Sequence, residues 1–327
     1  MDEKKSLTTE ETFALAVKNQ KKNNFQIAEN LYKEALKINP NHFKSIYYLG
    51  TLLAQTKKFD LAKLLFHKAI QIEPNYAQAH NNLGIVFNQL GEHQKAISSY
   101  EKAIQIEPNY AIAHNNLGNV LKELGEHQKA ISSFEKAIQI KPNYAKAHYN
   151  LGMVLQELGE YKRAIKSYEK TIQIDPKFTD AHNNLGIVFD LLGKTTKAKN
   201  FYKKAIEIQP NYMNAYWNLH SLSSNIDEAI GILEKSLRFK KNFFEAKIMI
   251  GVLNGFKGNL NYFNSLNYSP ISNNPMFRSA KWIFSLPKLP KIFFNRWDLF
   301  NNNITFADKT RPFYEFGVWK GISFKYF

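Results

Sequence analysis

The prolines of this 327-residue chain are spaced with unusual regularity. Pro40, Pro74, Pro108, Pro142, Pro176 and Pro210 follow one another at intervals of 34 residues. Leu49, Leu83, Leu117, Leu151, Leu185 and Leu219 keep the same interval, as do Gly50, Gly84, Gly118, Gly152 and Gly186. Ala28, Ala62, Ala96, Ala130, Ala164 and Ala198 form a further column, and residues 77–110 and 111–144 are identical at 27 of 34 positions. Such a period confines the chain to a repeat architecture. Each unit is one supersecondary element that buries its apolar face against its neighbours.

Each unit reads as two helices. From Ala77 to Leu90 the apolar residues Ala79, Leu83, Val86, Phe87 and Leu90 have helical spacing. Gly91-Glu92-His93 breaks the run, and Gln94 to Glu107 carries Ala96, Ile97, Tyr100, Ala103, Ile104 and Ile106 before Pro108-Asn109 stops it. Gly84 and Ala96 are small where the two helices must approach closely.

One copy reads His80-x2-Leu83-Gly84-x2-Phe87, Ala96-x3-Tyr100, Pro108. This resembles the tetratricopeptide repeat, whose pattern is W-x2-L-G-x2-Y…A-x3-F…P. Full copies span 9–42, 43–76, 77–110, 111–144, 145–178 and 179–212, and a degenerate copy spans 213–243. A capping helix is expected over 244–255, which places the solenoid at 9–255 behind an N-terminal tail, 1–8. His or Ile replaces the usual Trp, and Ala16 and His220 stand at the Gly position. The resemblance implies an all-α fold, a right-handed superhelical solenoid of antiparallel helix pairs whose first helices line a concave surface.

Composition narrows the chemistry. With no cysteine, disulfides and Cys-ligated metals are excluded. The net charge of +16 is carried by 39 Lys and only 5 Arg, so specific nucleic-acid recognition is not expected. No apolar run reaches the roughly 20 residues of a membrane span. The N-terminus, Met1 to Ser6, has no apolar segment behind it, so the expected compartment is cytoplasmic.

Asn82, Asn116, Asn150, Asn184 and Asn218 each precede the repeated Leu and form a ladder on the first helices. An amide both donates and accepts, so a regular column of amides suits the backbone of an extended peptide. The ladder looks like that in the repeat arm of O-linked N-acetylglucosamine transferases, which implies a grip on protein substrates. The other reading is inherited repeat consensus with solvated amides. Beside the ladder stand Asn81, Asn115, Tyr149, Asn183 and Trp217. Tyr149 is a candidate ligand anchor, and Trp217 reads as packing. With so few Arg, the carboxylate clamp of some family members is not carried over. His80, His114, His148 and His182 also recur at 34 residues. Equivalent atoms of stacked repeats stand on the order of 10 Å apart, too far to share a zinc ion, so these histidines read as packing. There is no P-loop and no H-E-x-x-H.

The composition shifts after about residue 255. Residues 213–327 hold 24 of the 46 aromatics and all four Trp. Residues 256–310 read as an aromatic, basic linker that docks its aromatics onto a neighbouring fold, with 259–274 as loop or weak helix. Residues 311–327 then read as strand, Gly-bearing turn and helix start, an incomplete α/β beginning. Glu315-x-Gly317-x3-Gly321-x-Ser323 resembles the first motif of class I S-adenosylmethionine-dependent methyltransferases, and Trp297-Asp298-Leu299-Phe300 the lead-in helix of macrocin-O-methyltransferase-like members. The resemblance implies cofactor contacts at Glu315, Gly317 and Gly321. Because Phe327 falls about one turn into that helix, the cofactor is expected only if the chain is completed beyond it. The leading expectation is therefore a noncatalytic scaffold or adaptor that binds a protein or extended peptide in the groove. The alternatives are the recruiting arm of a methyltransferase or of a glycosyltransferase.

Overall fold

The computed structural model describes residues 7–284, 314–319 and 322–326. The chain divides into two compact units, residues 1–160 and 161–327.

Among its described residues the first unit holds nine helices: α1 (Thr9–Lys21), α2 (Phe25–Ile38), α3 (Phe43–Gln55), α4 (Phe59–Ile72), α5 (Ala77–Gln89), α6 (His93–Ile106), α7 (Ala111–Glu123), α8 (His127–Ile140) and α9 (Ala145–Glu157). They pack as α1·α2, α3·α4, α5·α6 and α7·α8, each pair against the next. A capping box opens α1. The Thr8 amide donates to Glu11 Oε2 at 2.8 Å, and the Glu11 amide donates to Thr8 Oγ1 at 3.2 Å.

The turn inside each pair requires a left-handed residue. After α5 the chain turns at Gly91 (φ 76), and the Glu92 amide reaches back to the Phe87 carbonyl at 2.9 Å. This is the six-residue closure of a Schellman motif. In the first two pairs, non-glycine residues take the same conformation, Asn23 at φ 61 and Lys57 at φ 62.

Within a pair, the repeated glycine faces an aromatic ring. A Cβ on Gly84 would stand 2.7 Å from Tyr100 Cε1, and one on Gly118 would stand 2.7 Å from Phe134 Cε1. Gly84 is therefore small because the Tyr100 ring of the second helix approaches it closely. The ring is almost wholly buried at Tyr32, Phe66, Tyr100 and Phe134, and each such burial contributes roughly 1.5–3 kcal/mol.

The second unit holds α10 (Tyr161–Ile174), α11 (Thr179–Leu191), α12 (Thr195–Ile208), α13 (Met213–His220), α14 (Ile226–Phe239), α15 (Phe244–Phe256), α16 (Asn261–Ser265) and α17 (Pro275–Phe284). Gly186 meets Tyr202 as in the first unit. The α13–α14 pair departs from that rule. His220 occupies the glycine position and Leu233 the aromatic one, both buried. A larger residue on one helix is matched by a smaller one on the other. The α13 helix has 8 residues where α11 has 13.

Residues 256–284, expected as part of a linker, fold against α15. Ile248, Met249, Ile250, Val252 and Leu253 are all buried, so α15 is apolar around its circumference and needs cover on more than one side. Phe263 of α16 and Phe277 of α17 supply it, their rings 4.8 Å apart, and Phe284 meets Phe263 edge-on at 4.9 Å. The aromatic enrichment of this segment is the core of a closing cap. Residues 285–310 lie outside the described residues.

The C-terminal segment corrects the expected strand-turn-helix start. β1 (Tyr314–Trp319) pairs antiparallel with β2 (Ile322–Tyr326), placing Glu315 opposite Lys325 and Phe316 opposite Phe324. Ile322, Phe324 and Tyr326 alternate with Ser323 and Lys325, a period of two that favours a strand over a helix. The register shifts between Phe316 and Trp319, around Gly317.

Candidate functional site

The first helices of neighbouring pairs touch, α1 with α3, α3 with α5, α5 with α7 and α7 with α9, more closely than the second helices do. In the other unit α11 touches α13. The first helices therefore line the inner side of the curve within each unit. The Asn ladder stands on these helices.

The ladder amides bond to the preceding repeat. Asn116 Nδ2 donates to Asn81 Oδ1 at 3.0 Å, Asn150 Nδ2 to Asn115 Oδ1 at 3.0 Å, and Asn218 Nδ2 to Asn183 Oδ1 at 2.9 Å. Asn82 Nδ2 donates to the Tyr47 hydroxyl at 3.0 Å, because Tyr47 holds that place one repeat earlier. Asn184 Nδ2 lies 3.5 Å from the Tyr168 hydroxyl. The two columns thus divide the work. Asn81, Asn115 and Asn183 are buried acceptors, while Asn82, Asn116, Asn150, Asn184 and Asn218 are half-buried donors. Within a repeat, Asn81 Nδ2 also donates to Asn82 Oδ1 at 3.2 Å, and Asn183 Nδ2 to Asn184 Oδ1 at 3.3 Å.

Neither sequence reading anticipated these bonds. The amides are not simply solvated, and their first commitment is to the neighbouring repeat. The signal was present in the doubled Asn at 81/82, 115/116 and 183/184, offset by 35 residues. A side-chain amide has two N–H groups and a carbonyl oxygen. One inter-repeat bond orients Asn116 and Asn150 and leaves a second N–H on each half-exposed edge.

The ladder runs into aromatic residues at its N-terminal end, which sequence reasoning missed. Tyr48 occupies the ladder position of α3 and is 38% exposed. Phe13 and Tyr47 meet its ring edge-on at 5.4 and 5.6 Å. Tyr47 also packs edge-on against Tyr76 at 5.1 Å, and burial, reinforced by Tyr76, pushes its hydroxyl pKa up. Tyr48 could have been found from its register, 34 residues before Asn82. Tyr149 lies half-buried on α9. Trp217 packs against His220 at 4.6 Å and Phe243 at 6.1 Å, half-buried against the cap core.

The histidine column has a structural occupation. His80, His114, His148 and His182 each place Nε2 2.9–3.1 Å from the carbonyl of Pro74, Pro108, Pro142 and Pro176 respectively. The Nε2–H donates, which ties each first helix to the proline turn before it. Burial lowers the pKa of His114 and His182. Among the described residues no group of three or more His, Asp or Glu stands close enough to hold a metal ion. No helix among them is long and apolar enough to cross a membrane. Glu315 and Gly317 lie on β1, and Gly321 lies outside the described residues. Since β2 follows β1, the helix N-terminus expected to face a cofactor is not formed there.

A family model described as tetratricopeptide repeat matches residues 42–109, 75–143 and 110–177, and a second of the same description matches 179–212. The chain belongs to the tetratricopeptide repeat family. Together these tetratricopeptide matches cover just over half of it. Among solved structures it is similar to PilW, a type IV pilus biogenesis factor, at 19% identity and a TM-score of 0.59, over 63% of this chain and 96% of that one. That likeness shows the tetratricopeptide fold alone. It also matches MamA (31% identity, TM-score 0.46, 50% of this chain, 95% of that one) and YrrB, titled a TPR protein with an unusual peptide-binding site (24%, 0.46, 56% and 95%). No curated protein matches the sequence.

Proposed function

We propose that this chain is a noncatalytic scaffold that holds a protein partner by an extended segment laid along the inner surface of the repeats. The observation that carries the reading is the oriented ladder. Asn116 and Asn150 are each fixed by a 3.0 Å bond to the repeat before, so their remaining N–H groups are positioned before a ligand arrives. Preorganisation of this kind lowers the entropic cost of binding. Stacked repeats advance on the order of 10 Å, and an extended chain rises about 3.3 Å per residue, so every third residue of a ligand meets a rung. Such contacts grip backbone and read little sequence. Tyr48, exposed at one end, offers a ring for an apolar side chain.

The test is an array of overlapping peptides, about 15 residues each, probed with the full chain and with Asn116→Ala/Asn150→Ala/Asn184→Ala. Bound spots should weaken at least tenfold on the variant. Unchanged binding by a variant with native helicity would overturn the ladder mechanism.

A further inference from the structure

The α13–α14 pair carries a feature that the ladder does not explain. Between the second helices α12 and α14 lies a cleft of about 550 Å³, floored by Tyr216 and Leu219 of α13 and walled by Ile206 and Ile232. This volume lies in the range of sites that enclose a ligand group, about 300–1,000 Å³. Gly231 opens the wall, and a Cβ built on it would meet nothing within 4 Å. Beyond the mouth, Phe239 is 52% exposed, its ring 6.4 Å from that of Tyr216.

The equivalent cleft in the first unit, between α6 and α8, measures about 360 Å³ and is polar, with Ser132 and Ser133 where α14 has Gly231 and Ile232. The apolar lining distinguishes the cleft of the degenerate repeat from this one. Between α12 and α14 the lining carries two carboxylates and two ammonium groups, and the carboxylates are already engaged. Glu207 is held by Lys204 at 3.0 Å, and Glu228 by Lys199 at 3.7 Å and by the Ser224 amide at 2.6 Å. Lys203 and Lys235, one on each wall, form no close ion pair among the described residues, although Lys203 stands near enough to Glu228 to help hold its pKa down.

We propose that this cleft is a second docking site, for an amphipathic helix of a partner protein that inserts apolar side chains between α12 and α14 and sets acidic residues against Lys203 and Lys235. A groove between two helices accepts the ridge of a third, and unpaired charges flanking an apolar seam select the partner. The walls of the site, α12 and α14, are second helices, whereas the ladder stands on first helices; α13, which carries Asn218, is the one element that serves both.

A displayed library of amphipathic helices with randomised flanking charges tests this on the full chain. Selection on the native protein should enrich clones with apolar residues at i, i+3 or i+4 and Asp or Glu beside them. Those clones should bind Gly231→Leu at least tenfold more weakly. Leu is the better helix former and meets open space at this position, so misfolding does not account for such a loss. Selection on Lys203→Glu/Lys235→Glu should enrich Lys and Arg flanks instead. Asn116→Ala/Asn150→Ala should leave these clones unaffected, which separates this site from the ladder. The proposal is overturned if no selected clone distinguishes Gly231→Leu from the native chain, or if the flanking charges do not follow the reversal.

Discussion

Asn150 Nδ2 donates to Asn115 Oδ1 at 3.0 Å, across 35 residues of sequence. Asn115 is 4% exposed, so removing its oxygen leaves the donor on Asn150 without its buried partner. Asn115→Ala should cost about 1–2 kcal/mol, while Asn115→Asp, which keeps an acceptor, should recover part of it. Urea midpoints of the two variants check the difference. Equal losses would mean that packing at Asn115, rather than the bond, is what matters.

The contact between Gly118 and Phe134 leaves no room for a methyl group. Gly118→Ala should destabilise by about 1–3 kcal/mol through overpacking. Adding Phe134→Leu should relieve the clash, as Leu233 does opposite His220. A double-mutant cycle by thermal melting measures the coupling, and additive effects would refute the steric account.

Lys57 holds φ 62, where later repeats place glycine. Lys57→Gly should stabilise by up to about 1 kcal/mol, as relieved strain outweighs the entropy of glycine. A lower melting temperature would contradict this.

His220 is 1% exposed, its Nδ1 donating to the Trp217 carbonyl and its Nε2 buried without a hydrogen-bond partner among the described residues. Burial drives its pKa from 6.5 down to about 4. A depressed histidine is neutral when folded and protonates first when unfolded. Its stabilising effect is therefore full above pH 6.5 and is lost as pH falls toward 4. At the lower limit the loss is about 3 kcal/mol. His114 and His182 shift in the same direction. His220→Leu should flatten stability against pH across that window in denaturation series run at each pH. An unchanged slope would assign the acid sensitivity elsewhere.

The repeats were legible because glycine, alanine and proline at a fixed period report sterics, which depend on local backbone. The ladder was legible as a column but not as a bonded network, since Asn81 and Asn116 are brought together only by stacking. Tyr48 was hidden by its chemistry: a search for amides passes over a phenol in the same register. Residues 256–284 were legible only as a linker with weak helix, because their turns are short and lack the period; that Phe263 and Phe277 close the core over α15 depends on contacts across the fold. The expected helix after Gly321 was read from the Gly-bearing turn and supported by a resemblance, whereas the alternation from Ile322 to Tyr326 followed the pleat of a strand.

The 35-residue span of the amide bonds has a consequence for how the number of repeats can change. Excision of residues 111–144 would bring Asn150 to Asn81 in the place that Asn116 now fills. Every junction would be rebuilt from residues already shaped for it. Copying the same stretch would extend the ladder by one rung with no new surface to be fitted. A cut that is not a whole number of repeats would break several contacts together. For this stretch of the array, length is a quantity that duplication and deletion can adjust in whole units, so reach along a partner can change while the grip at each rung stays the same.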